Sequence, residues 1–113
     1  MKELFERTCK HLGKDHAKFN TEVAFVTADE IRALNKKWRN KDKATDVLAF
    51  PLGDFNHETG KTELGDIIIC LECAGKFSGE YLYLHGLLHL FGYTHNTDKD
   101  EMKMNLIIKE ILG

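Results

Sequence analysis

The chain has 113 residues, of which 42% are hydrophobic and 30% are charged. This composition excludes a disordered or collagen-like chain, and the length leaves room for one domain, which we expect to be a metal-dependent hydrolase domain spanning residues 1–113. The net charge of -2 excludes a protein that binds nucleic acid through its whole surface, so any such binding requires a local basic patch.

No segment of the sequence indicates a membrane anchor, a secretory signal or a disulfide framework. The longest apolar run, at residues 67–71, is much shorter than the roughly 20 residues that cross a bilayer, and the first seven residues are rich in charge. Three cysteines cannot all pair within the chain, which favours reduced thiols. We therefore expect a cytoplasmic protein with no membrane contact.

The N-terminal third predicts a helix, a strand and a second helix. The first helix is indicated by apolar residues that recur at helical spacing and stop at Gly13, namely Leu4, Phe5, Cys9 and Leu12. A short, mostly apolar run at residues 22–26 is typical of a buried strand. Thr27 and Glu30 have the spacing of a capping box, so a second helix begins there. Its predicted apolar face comprises Ile31, Leu34 and Trp38.

The middle of the chain predicts two further strands separated by a loop. Residues 45–50 form a strand that ends at Pro51, and the helix before it predicts that this strand is parallel to the first, with a right-handed crossover. Residues 53–62 contain two glycines, an aspartate and an asparagine, so they predict a loop of about ten residues. The apolar run at 64–70 then predicts an antiparallel return strand.

The C-terminal third predicts two helices. Residues 80–91 are apolar nearly all round, which is typical of a central helix packed under a sheet, and Gly92 ends this helix. Thr97 is the predicted N-cap of the last helix, whose core stripe comprises Met104, Ile107, Ile108 and Ile111. The predicted fold class is therefore α+β, with a mixed sheet of three or four strands packed with about four helices.

Three of the six histidines fall between residues 85 and 95. His85 and His89 are four residues apart, so on a helix their side chains project from the same face and can reach one metal ion. Gly92 interrupts the helix, which allows the chain to deliver His95 as a third ligand. The segment reads H-x-x-x-H-x-x-G-x-x-H, which is the spacing of the metzincin zinc motif with Gly86 in place of the glutamate.

Gly86 distinguishes this motif from that of a zinc protease. The protease glutamate takes a proton from metal-activated water, and glycine has no group that does so, which disfavours a peptidase. Three neutral imidazoles leave the charge of the ion uncompensated and one coordination position open to water. Such a site favours an anionic substrate.

Other interpretations of the histidine and cysteine residues are open at this point. A single histidine on an apolar helix is commonly a core residue, although three at this spacing favour a metal site. A structural zinc commonly takes four ligands rich in cysteine, and no fourth ligand stands near in the sequence. The only other candidate is Cys70-x-x-Cys73, for which packed thiols at a strand end are the favoured interpretation.

A basic segment spans residues 32–43 and contains a single acidic residue, Asp42. Its six basic residues are Arg32, Lys36, Lys37, Arg39, Lys41 and Lys43. Such a cluster is typical of a phosphate-backbone contact, and it is also typical of a solvated helix face. Trp38 offers a stacking surface for a base on the first interpretation, whereas on the second it belongs to the apolar face of the helix.

Five segments carry a resemblance to a known family. They are, in chain order, NKKWR at 35–39, TDVLAFP at 45–51, LGDIIIC at 64–70, HGLLHLFGYTH at 85–95 and EIL at 110–112. Together they resemble the YbeY family of bacterial rRNA maturation factors, which are metal-dependent endoribonucleases. The histidine block is the most specific of the five segments, because the glycine after its first histidine separates it from the proteases.

The resemblance has implications for the fold and for the site. It implies an α+β fold related to the metzincin proteases, with a metzincin-like zinc helix. It implies that one Zn2+ ion is held by His85, His89 and His95. It also implies that Arg39 faces the same cleft as the catalytic contact to the substrate phosphate, a role that the basic segment had already indicated.

Three features of the sequence depart from the family pattern. Thr94 stands where the family usually has aspartate, so we expect the partner of a ligand histidine to be missing or to come from elsewhere. No strand precedes the first predicted helix, and the stretch between Cys70 and His85 is short. The last two departures bear on the number of strands more than on the chemistry.

The residues and the resemblance together predict a zinc-dependent, single-strand-specific endoribonuclease, with Arg39 holding the scissile phosphate and residues 32–43 docking the RNA. The resemblance predicts a role in 16S rRNA 3′-end maturation and ribosome quality control, with small-subunit rRNA and the ribosome or ribosomal proteins as partners. We expect a monomer. The alternative is a non-catalytic ribosome-assembly factor with a structural zinc and an RNA-binding basic patch.

Overall fold

The computed structural model describes all 113 residues and contains four α-helices and three β-strands. The elements are α1 (Lys2–His11), β1 (Phe19–Phe25), α2 (Ala28–Arg39), β2 (Val47–Asn56), β3 (Lys61–Ile69), α3 (Gly79–Leu90) and α4 (Asp98–Leu112). The predicted α+β class is confirmed, and the sheet is mixed with three strands.

The strand order of the sheet is β1-β3-β2. β3 pairs in parallel with β1 and antiparallel with β2. The predicted antiparallel return is therefore confirmed, whereas the prediction that the first two strands are parallel is wrong. A hairpin joins β2 directly to β3, and the short connection closes at low entropic cost. β3, which has apolar residues facing both sides of the sheet, then takes the central position, where it is shielded on both faces.

The hairpin between β2 and β3 is longer than the sequence predicted. β2 continues through Pro51 to Asn56, and only residues 57–60 form the turn, so the predicted strand end and the loop at 53–62 are wrong. β2 is an edge strand, and at an edge the missing N–H of a proline removes no hydrogen bond from the ladder. A register irregularity between Pro51 and Asp54 accommodates Gly53, whose φ is +73°.

The helix N-termini follow the predicted caps. The Thr27 side chain accepts a hydrogen bond from the Glu30 backbone N–H, and the Glu30 carboxylate accepts one from the Thr27 N–H, which completes the capping box. The Thr97 hydroxyl accepts from the Asp100 N–H at the start of α4. All four residues of the predicted α4 core stripe are buried. Caps and stripes depend on residues within a few positions of each other, so the sequence predicts them well.

Trp38 does not belong to the buried face of α2. Its side chain is 63% exposed, whereas Ile31 and Asn35 are buried. The small core beneath α2 reaches no further along the helix than Leu34. Beyond it, the Asn35 amide donates a hydrogen bond to the Lys43 carbonyl at 3.0 Å and orders the loop after the helix. The predicted apolar face therefore ends one turn early, and Trp38 lies on the surface.

Two hydrophobic cores lie on opposite faces of the sheet. The larger contains Ile67 and Ile69 of β3, most of α3, and the buried faces of α1 and α4. The smaller contains Ile31, Leu48 and Cys70. α3 is thus buried nearly all round, and its two histidines lie on the side that the core leaves partly open. No helix combines the length and the apolar character that crossing a bilayer requires.

Candidate metal centre

The three predicted ligand histidines converge at the C-terminal end of α3. His85 and His89 lie one turn apart on the helix, and His95 lies in the loop between α3 and α4. Gly92 has a φ of +98°, a conformation that glycine adopts readily, and it turns the chain back toward the helix. One ring nitrogen from each histidine lies within 4.8 Å of the others, so the cluster is positioned to hold a metal ion.

Hydrogen bonds orient two of the three rings. His89 Nδ1 lies 2.9 Å from the Tyr93 carbonyl oxygen, which can only accept, so Nδ1 carries the proton and Nε2 presents a lone pair. His89 Nε2 lies 3.1 Å from His95 Nδ1. Two nitrogens of a tetrahedral zinc site are separated by about 3.3 Å, given Zn–N bonds of about 2.0 Å. A shared ion therefore fits the spacing of this pair.

Burial favours the neutral imidazoles of His85 and His89. Desolvation, followed by repulsion from His89 and His95, lowers the pKa of His85 to about 4. Desolvation also lowers the pKa of His89 below its ordinary value, although the hydrogen bond to the Tyr93 carbonyl partly opposes this. A metal ligand must be deprotonated at the coordinating nitrogen, so these shifts prepare both residues for binding at neutral pH.

The histidine cluster opens into a cleft of about 330 Å³ that Arg39 also lines. The walls of this cleft come from the end of α2, the start of β2 and the C-terminal half of α3. The Arg39 guanidinium donates a hydrogen bond to the Ala49 carbonyl, and its carbon lies 5.3 Å from the centre of the Phe50 ring. These contacts hold the group at the edge of the cleft with other N–H donors available to an anion.

The remaining basic residues lie outside this cleft. Of the six predicted, only Arg39 lines it. Arg32 Nε donates to Asp42 at 2.8 Å, and Lys36 Nζ lies 3.9 Å from the same carboxylate, so part of the charge of the segment is neutralised internally. The Lys37 ammonium lies 5.0 Å from the centre of the exposed Trp38 ring. The structure thus separates Arg39 from a solvated cationic face.

Gly86 lies where α3 makes its tightest contact with the sheet. A Cβ atom at this position would lie 2.8 Å from the Ile67 Cγ2 atom and 3.5 Å from the Val47 Cγ2 atom. A side chain at this position therefore requires the Ile67 side chain to shift. This crowding disfavours a residue as large as the glutamate of the zinc proteases.

We expect Gly86→Ala to lower the free energy of unfolding by about 1–2 kcal/mol, because overpacking at Ile67 outweighs the gain in helix propensity. Urea denaturation followed by circular dichroism measures this change. Glu80→Ala, at an exposed position of the same helix, serves as the control and is expected to stay within about 0.5 kcal/mol of the parent. A stabilised Gly86→Ala protein would contradict the close contact.

The sequence did not reveal where the partner of a ligand histidine comes from. Thr94 makes a hydrogen bond to Asp100 at 3.2 Å and does not contact a ligand ring through a hydrogen bond. The backbone carbonyl of Tyr93 supplies the partner of His89 instead. A backbone carbonyl is present at every residue, so no sequence signal could have identified it.

Cys70 and Cys73 form a packed thiol pair at the end of β3. Cys70 is completely buried in the smaller core, Cys73 is half-buried, and their sulfur atoms lie 3.0 Å apart. The hydrogen-bonding interaction between the two thiols, together with burial, raises the pKa of Cys73 to about 11. Both thiols thus pack against each other just after β3, where the sequence indicated packed thiols.

A family model described as Endoribonuclease YbeY matches residues 1–113. A Myxococcus xanthus protein named Endoribonuclease YbeY is 45% identical over 80% of this chain and 35% of its own length. A Thermoanaerobacter protein of the same name is 37% identical over 100% of this chain and 86% of its own length. This chain spans 35% to 63% of the length of the relatives that share 45% identity with it.

A solved structure supports the same relationship. The solution structure of a Thermotoga maritima protein superposes with a TM-score of 0.57 and 31% identity, covering 99% of this chain and 79% of the other. From the family match over the full chain and the identity of its relatives, the protein belongs to the YbeY family.

Proposed function

We propose that this protein is a zinc-dependent endoribonuclease that cuts single-stranded RNA, with residues 1–113 acting as one metal-dependent hydrolase domain. The observation that carries the proposal is that Arg39 and all three histidines line one cleft. A cationic metal site next to a guanidinium suits a phosphodiester, which is anionic, better than a peptide. Membership of the YbeY family supplies RNA as the substrate class.

Arg39 would bind the scissile phosphate. Its guanidinium presents planar donors that match two phosphate oxygens, and it neutralises charge that develops as the phosphodiester is attacked. The Ala49 carbonyl and the Phe50 ring already restrain this side chain, so little further rotational freedom is lost when the phosphate binds. Arg39 is thus proposed as the catalytic residue that the protein itself contributes.

His85, His89 and His95 would hold one zinc ion, and their chemistry fits it. All three offer nitrogen ligands, the first two have pKa values lowered by burial, and the Tyr93 carbonyl fixes the orientation of His89. When bound, zinc supplies positive charge and a water that is activated near neutral pH. Gly86 adds no proton acceptor, so the general base of the zinc proteases has no counterpart at that position.

The other basic residues would dock the RNA strand through its backbone. They are Arg32, Lys36, Lys37, Lys41 and Lys43, and all are exposed. Trp38, which lies on the surface among them, would stack against an unpaired base. Such contacts weaken as salt displaces them, so we propose that RNA affinity, but not the zinc content, falls with increasing ionic strength.

The biological role that we propose follows from the family. It is 16S rRNA 3′-end maturation and ribosome quality control in the cytoplasm, carried out by a monomer. Small-subunit rRNA and the ribosome or ribosomal proteins would be the partners.

Removing zinc with a chelator should abolish RNA cleavage without unfolding the protein. The 15 residues of the larger core include none of the three histidines, so the hydrophobic packing does not depend on the ion. Cleavage of a 5′-labelled single-stranded oligoribonucleotide should fall at least about 100-fold and return when zinc is added. Circular dichroism should retain the helical signal throughout.

Two controls complete this experiment. A fully paired duplex of the same sequence tests the preference for single strands, and casein tests for peptidase activity, which we do not expect. If chelation unfolds the protein and the zinc-loaded form cleaves no RNA, the non-catalytic assembly factor with a structural zinc becomes the better explanation.

A further inference from the structure

A second cavity, of about 230 Å³, shares a wall with the metal centre. Its lining includes His85 and His95, and these are the only two residues that also line the Arg39 cleft. The two histidines therefore separate the second cavity from the first. A ligand that extends past the metal centre from the Arg39 cleft reaches this cavity next.

One wall of the second cavity is a column of parallel rings. Phe77 and Tyr81 stack with their ring centres 4.6 Å apart and their planes at 11°. Tyr81 and His85 continue the column at 6.2 Å and 15°. Tyr81 and His85 are four residues apart on α3, and Phe77, which lies just before the Ser78 N-cap, extends the column. Tyr81 covers one face of the Phe77 ring, which is 38% exposed, so a planar ring such as a nucleobase can stack on its other face.

Apart from the two histidines, the polar lining of the second cavity comprises two carboxylates, one amide and the Tyr81 hydroxyl. Asp46 and Glu101 contribute carboxylates, and Asn105 contributes an amide whose oxygen lies 3.3 Å from the Tyr81 hydroxyl. No lysine or arginine lines this cavity, in contrast to the first. The carboxylates repel a phosphate and accept hydrogen bonds from amino groups. The first cavity contains a guanidinium, which suits a phosphate. The second contains carboxylates, which suit the amino group of a base.

We propose that the second cavity binds the nucleobase next to the phosphodiester that Arg39 holds. The proposal rests on the proposed RNA substrate and adds a base-recognition subsite to it. Cytosine, adenine and guanine each present an exocyclic amino group to the carboxylates, whereas uracil presents carbonyl oxygens on both sides of its single N–H. The cavity therefore prefers a base with an amino group over uracil.

Binding of zinc-free protein to labelled rC10 and rU10 oligoribonucleotides tests the subsite separately from catalysis. We expect wild-type protein to bind rC10 at least about tenfold more tightly than rU10, which is the discrimination of one good hydrogen bond to a charged group. Glu101→Gln should reduce this ratio to less than about twofold, because the glutamine amide donates to a uracil oxygen. Phe77→Ala should weaken binding of both oligomers about fivefold or more through lost stacking.

Lys109→Ala, on the exposed surface of α4 and outside both cavities, is the matched control and should bind like wild type. Circular dichroism of each variant establishes that the fold is retained. Equal binding of rC10 and rU10 by wild type, or an unchanged ratio in Glu101→Gln, overturns the subsite while cleavage of RNA leaves the proposed function intact. A wild-type protein that neither binds nor cleaves single-stranded RNA overturns both.

Discussion

Arg39→Ala should cleave single-stranded RNA at least about 100-fold more slowly than the parent protein while it still binds zinc. Arg39 is the only lysine or arginine that lines the cleft, so no neighbour replaces its charge. The guanidinium is exposed and none of the three histidines depends on it for a hydrogen bond, so both fold and zinc content should persist. Single-turnover cleavage and elemental analysis measure the two quantities on the same sample.

Two further variants test whether the loss of cleavage is specific to the Arg39 guanidinium. Arg39→Lys retains the charge but loses the planar pair of donors, and we expect it to recover only part of the rate. Lys10→Ala removes a cation from the exposed face of α1, far from the cleft lining, and should cleave at the parental rate. Parental activity in Arg39→Ala would remove this residue from the catalytic assignment.

His89→Ala should lose the zinc ion. The substitution removes one of three ligands and with it the ring that the Tyr93 carbonyl orients, leaving only two imidazoles to hold the metal. Zinc per protein chain, measured after passage through a column equilibrated with a weak chelator, should fall from about one to less than about 0.1. RNA cleavage should fall in proportion to the zinc content.

His57→Ala is the matched control for this loss. His57 lies in the hairpin turn between β2 and β3, and it is not part of the ligand cluster. It should retain the zinc content of the parent protein. Equal zinc in His89→Ala and His57→Ala would show that His89 is not a ligand, whatever the effect of either substitution on cleavage.

The strand order and the hairpin illustrate what the sequence could not reveal. Alternation and apolar runs indicated the three strands, but they carry no information about which strands are neighbours in the sheet. Pro51 predicted the end of a strand, because proline interrupts the hydrogen bonds of a central strand. β2 is an edge strand, which tolerates proline, and it continues past Pro51. Trp38 has the spacing of a core residue, and it is exposed because the core beneath α2 ends before it.

The sequence likewise predicted only part of the candidate site. The helical spacing of His85 and His89, together with Gly92, indicated three convergent ligands before the fold was known, because these relations are local. The reason for Gly86 became evident only from its contact with Ile67 on β3, nearly 20 residues away in sequence. The second cavity gave no sequence signal at all, because its aromatic and acidic residues come from α3, α4 and the loop before β2.

The amino-acid sequence by itself determined the helices with their caps, the approximate locations of the three strands, the histidine cluster and the resemblance to the YbeY family. These features depend on residues within a turn or two of each other, or on short sequence motifs. The tertiary structure alone decided the order of the strands, the separation of Arg39 from the other basic residues, and the cavity beside the metal centre. These depend on contacts between distant segments, and such contacts form only when the whole core packs.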